Sequence, residues 1–429
     1  MTLKVAFVGN IVNNFFQLSN ALRKHAGVDA HLFLDHTDGR IARPESDDPS
    51  LVGNLPDWIH EGAWFTRSTK LTPWRSPLVS ELAGFDLVVA SGNGPVIAQF
   101  APVPWCFFVT GGDLTVTPFP IRMGPVYART VRDATAMLAL GLWQRRAIRR
   151  ADEIWMQDFT PFRRAVWRLR VDPDRLGADY LPLVFDTELF RADPAARASG
   201  DPLVRQIVDG SDFVVFHPSR LIIRASARRR ETGDWKANDL LLEGFAAFVR
   251  LGLARHPVLV LPDRTESPDV EVAKGIIQRL GIIENVVWAR PPRPAGFTRH
   301  EMIAIYSVAD VVADDFGIGW FGAVALEGLS MGAPVLSHLD QTVMAGLYPW
   351  HPVLEAATPQ AVARHLSRLC ADPALRAATG RRGREWVERF HSAEAVAPRF
   401  AEAMTAVVQR GRRAAPPFPP VRLRRRGGA

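Results

Sequence analysis

Short apolar runs alternate with amphipathic segments along most of this chain, and the alternation begins twice. Residues 3–8 form an apolar run typical of a buried strand, and Phe15 and Leu22 follow at helical spacing. The same pattern restarts at residues 213–216, after a stretch at 191–211 that is rich in Ala, Asp, Pro and Gly. Strands that alternate with helices are typical of α/β proteins with parallel sheets. The pattern therefore predicts two α/β domains that face a cleft and are joined by a linker.

Three predicted strands of the first half end in turns rich in small or polar residues. They cover residues 3–8, 85–90 and 105–109. Open parallel sheets bind their ligands at the carboxyl ends of the strands, so turns at these ends are candidates for the cleft. The turn residues that we select after the first and third of these strands are Gly9, Asn10, Thr110, Gly111, Gly112 and Asp113.

A predicted helix at residues 130–151 ends in a cluster of arginines. The cluster consists of Arg145, Arg146, Arg149 and Arg150. Cations near a helix C-terminus are stabilised by the helix dipole. The alternative is a basic amphipathic surface that rests on anionic lipid. The sequence leaves both interpretations open.

The segment 306–337 carries the clearest chemical signal in the chain. Its pattern predicts a helix end, an apolar strand, a turn with Gly317, Gly319 and Gly322, a helix and a further strand. Glycines allow a ligand to approach the backbone closely, and the free N–H groups at a helix N-terminus favour an anion such as a diphosphate. Glu327 lies five residues after Gly322, where a carboxylate can reach past the phosphate to sugar hydroxyls.

The same turn also matches a dinucleotide-binding fingerprint. Residues 317–322 read Gly-Ile-Gly-Trp-Phe-Gly, which fits GxGxxG, and Asp340 follows the next predicted strand. A bare GxGxxG is a weak signal, and Asp314 and Asp315 interrupt the strand just before this turn. A nicotinamide-dependent oxidoreductase therefore stays an alternative.

A longer resemblance accounts for residues on both sides of the turn. The matching residues are Tyr306, Ala309, Asp310, Phe321, Gly322, Leu326, Glu327, Met331, Gly332, Pro334 and Val335. In this spacing they resemble the donor-sugar motif of retaining GT-B glycosyltransferases of family 4, also called group 1. The resemblance extends over nearly all of residues 3–408, with its specific motifs mostly in the second half. It implies the GT-B architecture, an α/β fold in which two Rossmann-like domains face each other across a cleft.

The resemblance implies a role for individual residues. Arg220 and Lys236 would bind the donor diphosphate, and Glu327 would hold the ribose hydroxyls. Asp113 would contact the sugar or the acceptor, and Arg220, Lys236 and Asp113 are the predicted catalytic residues. The predicted donor-binding residues are Glu327, Gly319, Trp320, Phe321, Gly322, Ala323, Arg290 and Asp315. The predicted acceptor and cleft-loop residues are Gly9, Asn10, Gly111, Gly112 and Thr110.

Two departures from the family's pattern concern the charged residues. Gly319 stands where the family has the first acid of its paired-acid motif, and Asp314 or Asp315 is the candidate replacement. An arginine-rich insert at 224–232 separates Arg220 from Lys236, so the family's short spacing between these two residues is not kept. Arg224 is the alternative to Lys236 as the second cation.

Two further departures concern the first half of the chain. Thr110 stands where many family members have a histidine, so an imidazole is missing at that turn. Leu183 replaces the usual asparagine in the segment that closes the first domain.

Length and composition agree with an ordinary globular protein. The 429 residues are enough for two domains, and apolar and charged residues make up 47% and 23% of them. Cys106 and Cys370 lie far apart, which predicts a reducing compartment and no disulfide framework. The first residues lead directly into a strand, which predicts no signal peptide, and no apolar run approaches the roughly 20 residues that span a bilayer. We therefore expect a cytoplasmic location.

The formal net charge of +7 has its source near the C-terminus. Seven arginines lie there without a nearby acid: Arg410, Arg412, Arg413, Arg422, Arg424, Arg425 and Arg426. The rest of the chain is formally neutral, which argues against nucleic acid as a partner. The tail and residues 145–150 predict peripheral contact with an anionic membrane at its inner face.

These observations lead to a division of the chain. We expect an acceptor domain at 1–190, a linker at 191–211 and a donor domain at 212–392. A helix at 393–409 would cross back to the first domain, and residues 410–429 would form a basic, disordered tail rich in Pro and Arg.

The predicted function is transfer of a hexose-like sugar from a UDP- or GDP-sugar to an acceptor hydroxyl, with retention of configuration. The predicted setting is the synthesis of a cell-surface glycan or glycolipid, so the partners are a nucleotide sugar and a glycan or lipid-linked acceptor. The nucleotide sugar is a co-substrate, and neither a cofactor nor a metal site is predicted. The alternatives are a sugar-nucleotide epimerase of the same fold, the nicotinamide enzyme, and a non-catalytic nucleotide-binding relative.

Overall fold

The structure is a computed structural model, and it describes residues 2–120, 131–263, 267, 269–291 and 296–413. Within this part of the chain, two six-stranded sheets form the centres of two domains. All strand pairs in both sheets are parallel. The predicted α/β class with two Rossmann-like domains is confirmed.

The first sheet has the strand order β3-β2-β1-β4-β5-β6. Its strands are β1 Lys4–Val8, β2 Asp29–Asp35, β3 Ile59–Gly62, β4 Leu87–Ala90, β5 Trp105–Phe108 and β6 Glu153–Trp155. The helices of this half are α1 Asn14–His25, α2 Arg67–Leu71, α3 Leu78–Glu81, α4 Pro95–Ala98, α5 Gly112–Thr115, α6 Val131–Arg150 and α7 Thr160–Leu169. Val5, Phe7 and Val8 are fully buried, as expected for a central parallel strand that is covered on both faces.

The second sheet has the order β12-β11-β10-β7-β8-β9. Its strands are β7 Phe213–Phe216, β8 Pro257–Pro262, β9 Val286–Ala289, β10 Val311–Ala313, β11 Val335–Ser337 and β12 Leu354–Glu355. The helices are α8 Pro202–Val208, α9 Ala227–Thr232, α10 Asn238–Arg250, α11 Val270–Leu280, α12 Arg299–Val308, α13 Ala323–Ser330, α14 Gln341–Leu347, α15 Pro359–Ala371 and α16 Pro373–His391.

A last helix, α17 Ala393–Arg410, returns from the second domain to the first. Its buried residues Phe400 and Met404 join the core that contains Phe15 of α1 and Phe108 of β5. The Phe400 and Phe108 rings lie 5.8 Å apart between centroids. The helix is thereby part of the first domain's core although it follows the second domain in sequence.

The start of the basic tail is bound to the first domain. Arg410 forms an ion pair with Glu153, and Arg412 donates a hydrogen bond of 2.7 Å to the carbonyl of Ala101. The backbone N–H of Arg413 donates to Asp152 at 2.7 Å. The prediction of a disordered tail from residue 410 is therefore wrong for residues 410–413, and residues 414–429 lie outside the described residues.

The arginines at the end of α6 point into the protein. Arg145 donates to the carbonyl of Pro118, Arg146 to Gln99 at 2.6 Å and Arg149 to the carbonyl of Leu169 at 2.6 Å. Burial lowers the pKa of each of the three guanidinium groups. Each of these three arginines therefore binds the protein through at least one donor, and the membrane contact of 145–150 stays a prediction. None of the described helices has the length and apolar character to cross a membrane.

Much of the predicted linker at 191–211 is packed structure. It contains α8, and Arg197 donates to the carbonyl of Val308 and to Asp310, both at 2.8 Å. These contacts attach the segment to the second domain. The apolar residues Val204 and Ile207 of this segment are buried. The linker at 191–211 stays a prediction, and a large part of it has its own packed structure.

Candidate active site in the cleft between the domains

A cavity of about 890 Å³ lies where the carboxyl ends of the two sheets face each other. Its wall is formed by residues that follow β1 and β5 in the first domain and β7 and β10 in the second. The first domain contributes Ile11, Val12, Asn14, Val109, Thr110, Gly111, Gly112, Thr115, Val116, Gln157, Phe159, Phe162 and Leu183. The second contributes Ser219, Arg220, Ile222, Ser226, Arg228, Arg229, Thr232, Gly233, Asp234, Lys236, Asp314, Asp315, Ile318, Trp320, Phe321, Gly322, Ala323 and Val324.

The two walls differ in charge. Every described wall residue of the first domain is uncharged, whereas the second domain contributes four cations, Arg220, Arg228, Arg229 and Lys236, and three aspartates. A low-dielectric cleft strengthens the interaction of such cations with an anion. The geometry therefore separates an ionic wall, suited to a phosphate group, from a neutral wall suited to an uncharged molecule.

Lys236 is the cation most firmly built into the ionic wall. Its Nζ lies 2.7 Å from Asp315 Oδ2. Burial by itself lowers the pKa of Lys236, but the charges of Asp315 and Asp314 outweigh it and leave the pKa above its ordinary value. Gly317 is required here, because a Cβ would lie 2.2 Å from the Trp235 carbonyl oxygen in the chain that leads to Lys236.

Arg220 lies at the same wall but is more exposed. Its guanidinium is 3.2 Å from Asp234, and about half of the side chain, 47%, is accessible to solvent. Arg224 is held elsewhere, 2.6 Å from the buried Asp269. The structure thus brings Arg220 and Lys236 together at the cavity despite the insert between them, and it does not bring Arg224 there.

The N-terminus of α13 completes the ionic wall. Gly322 precedes the helix without a side-chain cap, and Gly322, Ala323 and Val324 all line the cavity. The first N–H groups of a helix have no partners within the helix, so they are available to an anion. Trp320 also lines the cavity and stacks on Phe159 of the first domain at 6.0 Å between centroids.

Asp314 and Asp315 occupy the turn between β10 and α13. Asp315 accepts hydrogen bonds from Lys236 and from the backbone N–H groups of Gly317 and Ile318. Asp314 is 3% exposed, and its contacts with Ser219 Oγ and Gly322 N are longer, at 3.2 Å and 3.5 Å. Burial raises the pKa of Asp314 to about 6.

Asp113 is bound to two turns of the first domain. Its carboxylate accepts hydrogen bonds from the backbone of Gly92 at 3.0 Å and Gly111 at 2.8 Å, and from the Thr110 hydroxyl at 2.9 Å. Among the described residues, those that line the cavity do not include Asp113. In this structure Asp113 therefore connects the turns after β4 and β5, and burial raises its pKa. Its catalytic role stays a prediction.

Gly9 and Asn10 also support the cleft without lining it. Asn10 is 1% exposed, and its side-chain oxygen accepts from the backbone N–H groups of Phe15 and Phe16 at the start of α1. Gly9 has a φ of 92°, and a Cβ there would lie 2.1 Å from the Ser91 carbonyl oxygen. The next two residues, Ile11 and Val12, line the cavity after β1. Thr110, Gly111 and Gly112 line it as predicted.

Gly319 and Arg290 likewise lie apart from the lining residues that the structure describes. Gly319 has a φ of 76°, and its carbonyl accepts from the Asp340 N–H at 2.8 Å. Arg290 points to solvent with 80% of its side chain exposed, and it pairs with Asp263 at 3.1 Å. Neither prediction of a donor-binding role is supported by these positions. Trp320, Phe321, Gly322, Ala323 and Asp315 do line the cavity.

Glu327 lies behind the cavity wall in a buried cluster. One carboxylate oxygen accepts from Arg299 at 2.9 Å and the other from the Tyr306 hydroxyl at 2.5 Å. Burial and the charge of Glu327 raise the pKa of Tyr306 well above its ordinary value. Each carboxylate oxygen thus has a protein donor, and Glu327 is not among the described residues that line the cavity. Its role in holding the ribose stays a prediction.

Arg299 is a central residue that the sequence did not reveal. It lies at the start of α12 and joins Glu327 to Asp47 of the first domain, 3.1 Å away. Arg299 and Asp47 are 252 positions apart in the sequence, so no local pattern signals this ion pair. Burial by itself lowers the pKa of Arg299. The charges of Glu327 and Asp47 have the larger opposite effect, so the pKa lies above its ordinary value.

Removal of this arginine is expected to be costly. Arg299→Ala leaves two buried carboxylates without their cation, and we expect the free energy of unfolding to fall by about 3–5 kcal/mol. Urea denaturation followed by tryptophan fluorescence measures this loss. In the double variant Arg299→Ala/Glu327→Gln, one unpaired charge is gone, so part of the stability should return. Strictly additive losses in this cycle would show that the two side chains are not coupled.

The geometry of the glycine turn argues against the dinucleotide alternative. A dinucleotide fingerprint follows its strand directly and opens the helix within the motif. Here residues 314–322 separate β10 from α13, and the helix begins only after the last glycine. Asp340, the acid which that alternative assigns to a ribose, accepts from the N–H groups of Thr342 and Val343 as the cap of α14.

Among the residues that the structure describes, no group of three or more His, Cys, Asp or Glu side chains is arranged to hold a metal ion.

Comparisons with known proteins bear on this fold and cavity. No protein-family model matches the chain. The D-inositol 3-phosphate glycosyltransferase of Saccharomonospora viridis is 29% identical over 265 residues, which are 55% of this chain and 59% of that relative. The chain therefore spans less than two thirds of the length of this curated relative.

Solved structures are similar over almost the whole chain. Anabaena Alr3699/HepE in complex with UDP and glucose has a TM-score of 0.60 at 16% identity, covering 94% of this chain and 100% of the other. This chain has the GT-B fold. Sucrose-phosphate synthase from Thermosynechococcus elongatus has a TM-score of 0.59 at 18% identity, covering 95% and 100%. With the curated relative, these neighbours confirm the resemblance to GT-B glycosyltransferases of group 1.

Proposed function

We propose that this GT-B protein is a glycosyltransferase that moves a sugar from a nucleotide diphosphate sugar to an acceptor hydroxyl. The proposal is carried by one observation: Lys236, Arg220 and the N-terminus of α13 converge on the cavity between the domains. Together they offer two cations and free backbone N–H groups to a diphosphate. The complexes of Alr3699/HepE with UDP and with UDP-glucose support a UDP-sugar as the first donor to test.

The ionic wall has a defined task in this reaction. Negative charge develops on the nucleotide as the bond to the sugar breaks, and preorganised donors lower the free energy of that transition state. Lys236 supplies a nearby point charge, and Arg220 supplies a planar fork of donors that matches phosphate oxygens. Since Asp315 holds Lys236 at 2.7 Å, the ammonium is oriented before the donor arrives.

The neutral wall suits the acceptor. Thr110 and Thr115 offer hydroxyl groups, Gln157 offers an amide, and Phe159 and Phe162 offer apolar faces in the same cavity. Such a surface can bind an uncharged sugar or alcohol beside the donor without a competing charge. We propose that retention of configuration, a hexose-like donor sugar and independence of metals and cofactors also hold, on the strength of the family resemblance.

A ligand screen tests the proposal. Thermal unfolding is measured with UDP, GDP, ADP, their glucose conjugates and NADH, because a ligand that binds only the folded state adds RT ln(1 + [L]/Kd), about 2.7 kcal/mol at 100 Kd. We expect one nucleotide diphosphate and its sugar to raise the Tm and NADH to leave it unchanged. The matched control is Arg279→Ala, which removes an exposed arginine in the last turn of α11, outside the lining residues.

Turnover separates the remaining alternatives. Chromatography of a reaction with the selected nucleotide sugar should show release of the nucleotide diphosphate that depends on added acceptor alcohols. An epimerase would convert the sugar nucleotide without any acceptor, and a non-catalytic relative would bind it without change. Stabilisation by NADH alone would reject a glycosyltransferase.

We further propose that the protein acts in the cytoplasm on a cell-surface glycan or a lipid-linked acceptor. The support is the family resemblance, together with the basic residues that the sequence contains beyond 413. Such residues each add about 1 kcal/mol of attraction to an anionic membrane surface.

A further inference from the structure

Three aspartates line the cavity, and their contacts distinguish them. Asp234 is paired with Arg220, and 45% of its side chain is exposed. Asp315 uses one oxygen for Lys236 and the other for the backbone of Gly317 and Ile318. Asp314 is almost fully buried, and each of its oxygens has one long contact to a neutral group. Of the two buried carboxyl groups, Asp314 is therefore the one with the weaker contacts to the protein.

Asp314 lines the cavity next to the helix end to which the diphosphate is assigned. It follows β10 directly, and one oxygen lies 3.5 Å from Gly322 N, at the helix end that faces the cavity. In a nucleotide sugar the diphosphate is covalently joined to the sugar. A diphosphate at this helix end would therefore bring a hydroxyl-rich ring into the same cavity as Asp314.

The other carboxylate of the turn, Asp315, is bonded to Lys236 and to the backbone of Gly317 and Ile318. Gly319 has no side chain, and a Cβ added there would lie 3.5 Å from Asp340 N, on the side of α14. An acid at that position would thus begin near Asp340. The departure found at Gly319 leaves the sugar without an acidic partner unless a residue such as Asp314 provides one.

We propose that Asp314 accepts a hydrogen bond from a hydroxyl group of the donor sugar and thereby selects the donor. The inference rests on the proposed function, since it requires a nucleotide sugar in this cavity. A hydroxyl group is the fitting partner because it donates to a carboxylate, whereas a phosphate oxygen beside the same carboxylate would be repelled.

The surroundings of Asp314 set the pH at which this contact forms. The titratable groups around it are Lys236, Asp315, Tyr306 and, at the end of β7, His217, whose Nδ1 lies 2.8 Å from the Ala313 carbonyl oxygen. Burial raises the pKa of Asp314 to about 6, and Lys236 opposes this rise. The carboxylate that accepts the sugar hydroxyl is therefore the main form at pH 7.5 and the minor form at pH 5.

The test compares each nucleotide with its sugar conjugate. Calorimetry at pH 7.5 measures binding of UDP, UDP-glucose, GDP and GDP-mannose to the wild type and to Asp314→Asn. In the pair that binds, we expect Asp314→Asn to weaken the sugar conjugate about 10- to 100-fold and to leave the free nucleotide within about twofold. Unchanged nucleotide binding also shows that the variant is folded. Glu271→Gln, at an exposed site on α11, is the control for loss of one carboxylate.

Two further readouts separate a sugar contact from a structural role. The affinity ratio of conjugate to free nucleotide should rise between pH 5 and pH 7.5 in the wild type and stay flat in Asp314→Asn. A series of monodeoxy donors removes the sugar hydroxyls one at a time. Loss of the hydroxyl that Asp314 binds should weaken donor binding to the wild type and cause little further loss in Asp314→Asn.

The contrary outcomes are distinct. Equal loss of nucleotide and conjugate in Asp314→Asn would overturn the inference and leave the proposed function standing, because the carboxyl would then act on the nucleotide or on the fold. The inference would also be overturned if the wild type bound the free nucleotide more tightly at pH 5 than at pH 7.5 and Asp314→Asn lost this pH dependence. If neither pair binds the wild type, the proposed function fails and this inference fails with it.

Discussion

Lys236→Ala is expected to lower kcat/KM for the nucleotide sugar by about 1,000-fold. Loss of one preorganised donor to a developing negative charge costs about 100- to 1,000-fold in rate. This substitution has a second effect, since it leaves Asp315 near the diphosphate without the ammonium that lies 2.7 Å from it. The net charge of the ionic wall would then be more negative, and the wall would bind the negatively charged donor less tightly.

Initial rates over a range of donor concentrations measure this effect. Arg220→Ala should cause a smaller loss of about 10- to 100-fold, because Arg220 is half exposed and is screened by water and by Asp234. The control Arg279→Ala, on the exposed side of α11, should leave kcat/KM within about twofold. If Lys236→Ala keeps the wild-type rate and donor affinity, the diphosphate does not bind at this wall.

Asp113→Ala is expected to lower the free energy of unfolding by about 3 kcal/mol or more. The carboxylate accepts from the backbone N–H groups of Gly92 and Gly111 and from Thr110, and buried donors left without a partner cost about 1–3 kcal/mol each. The two turns that these bonds join contribute Thr110, Gly111 and Gly112 to the cavity. The variant should therefore lose stability first and acceptor binding as a consequence.

Chemical denaturation measures the loss, and acceptor KM at a temperature where the variant is folded measures the consequence. Asp113→Asn has nearly the same shape but directs an amide N–H₂ group at backbone donors, so it should be nearly as unstable as Asp113→Ala. A stable Asp113→Asn variant with a greatly reduced kcat would contradict a supporting role and indicate that Asp113 acts in the reaction itself.

The regular elements were accessible from the sequence because their signals are local. The apolar run predicted at 213–216 is the strand Phe213–Phe216, and the helix predicted at 130–151 is described over Val131–Arg150. Parallel strands buried on both faces need continuous apolar runs, and such runs are visible without any knowledge of their partners. The turn at 317–322 was visible for the same reason, since its glycines are adjacent in sequence.

The side chains at the site were harder to assign because direction and partner are not local properties. Asp113 and Glu327 lie on the expected elements, but their carboxylates accept from donors brought there by the fold and lie outside the described lining of the cavity. In the sequence, Arg145 and Arg149 belong to a cluster typical of a basic surface. In the structure, each donates a hydrogen bond to a backbone carbonyl of the first domain.

Hydrophobic periodicity and glycine spacing act over a few residues, so they were enough to predict two parallel α/β domains and a glycine turn that leads into α13. Which charges meet in and behind the cleft depends on the tertiary structure. It placed Lys236 with Asp315, 79 positions away, and Arg299 with Asp47, 252 positions away. Buried charges need partners because removing them from water costs several kcal/mol, and the fold, through long-range contacts, decides which partners they meet.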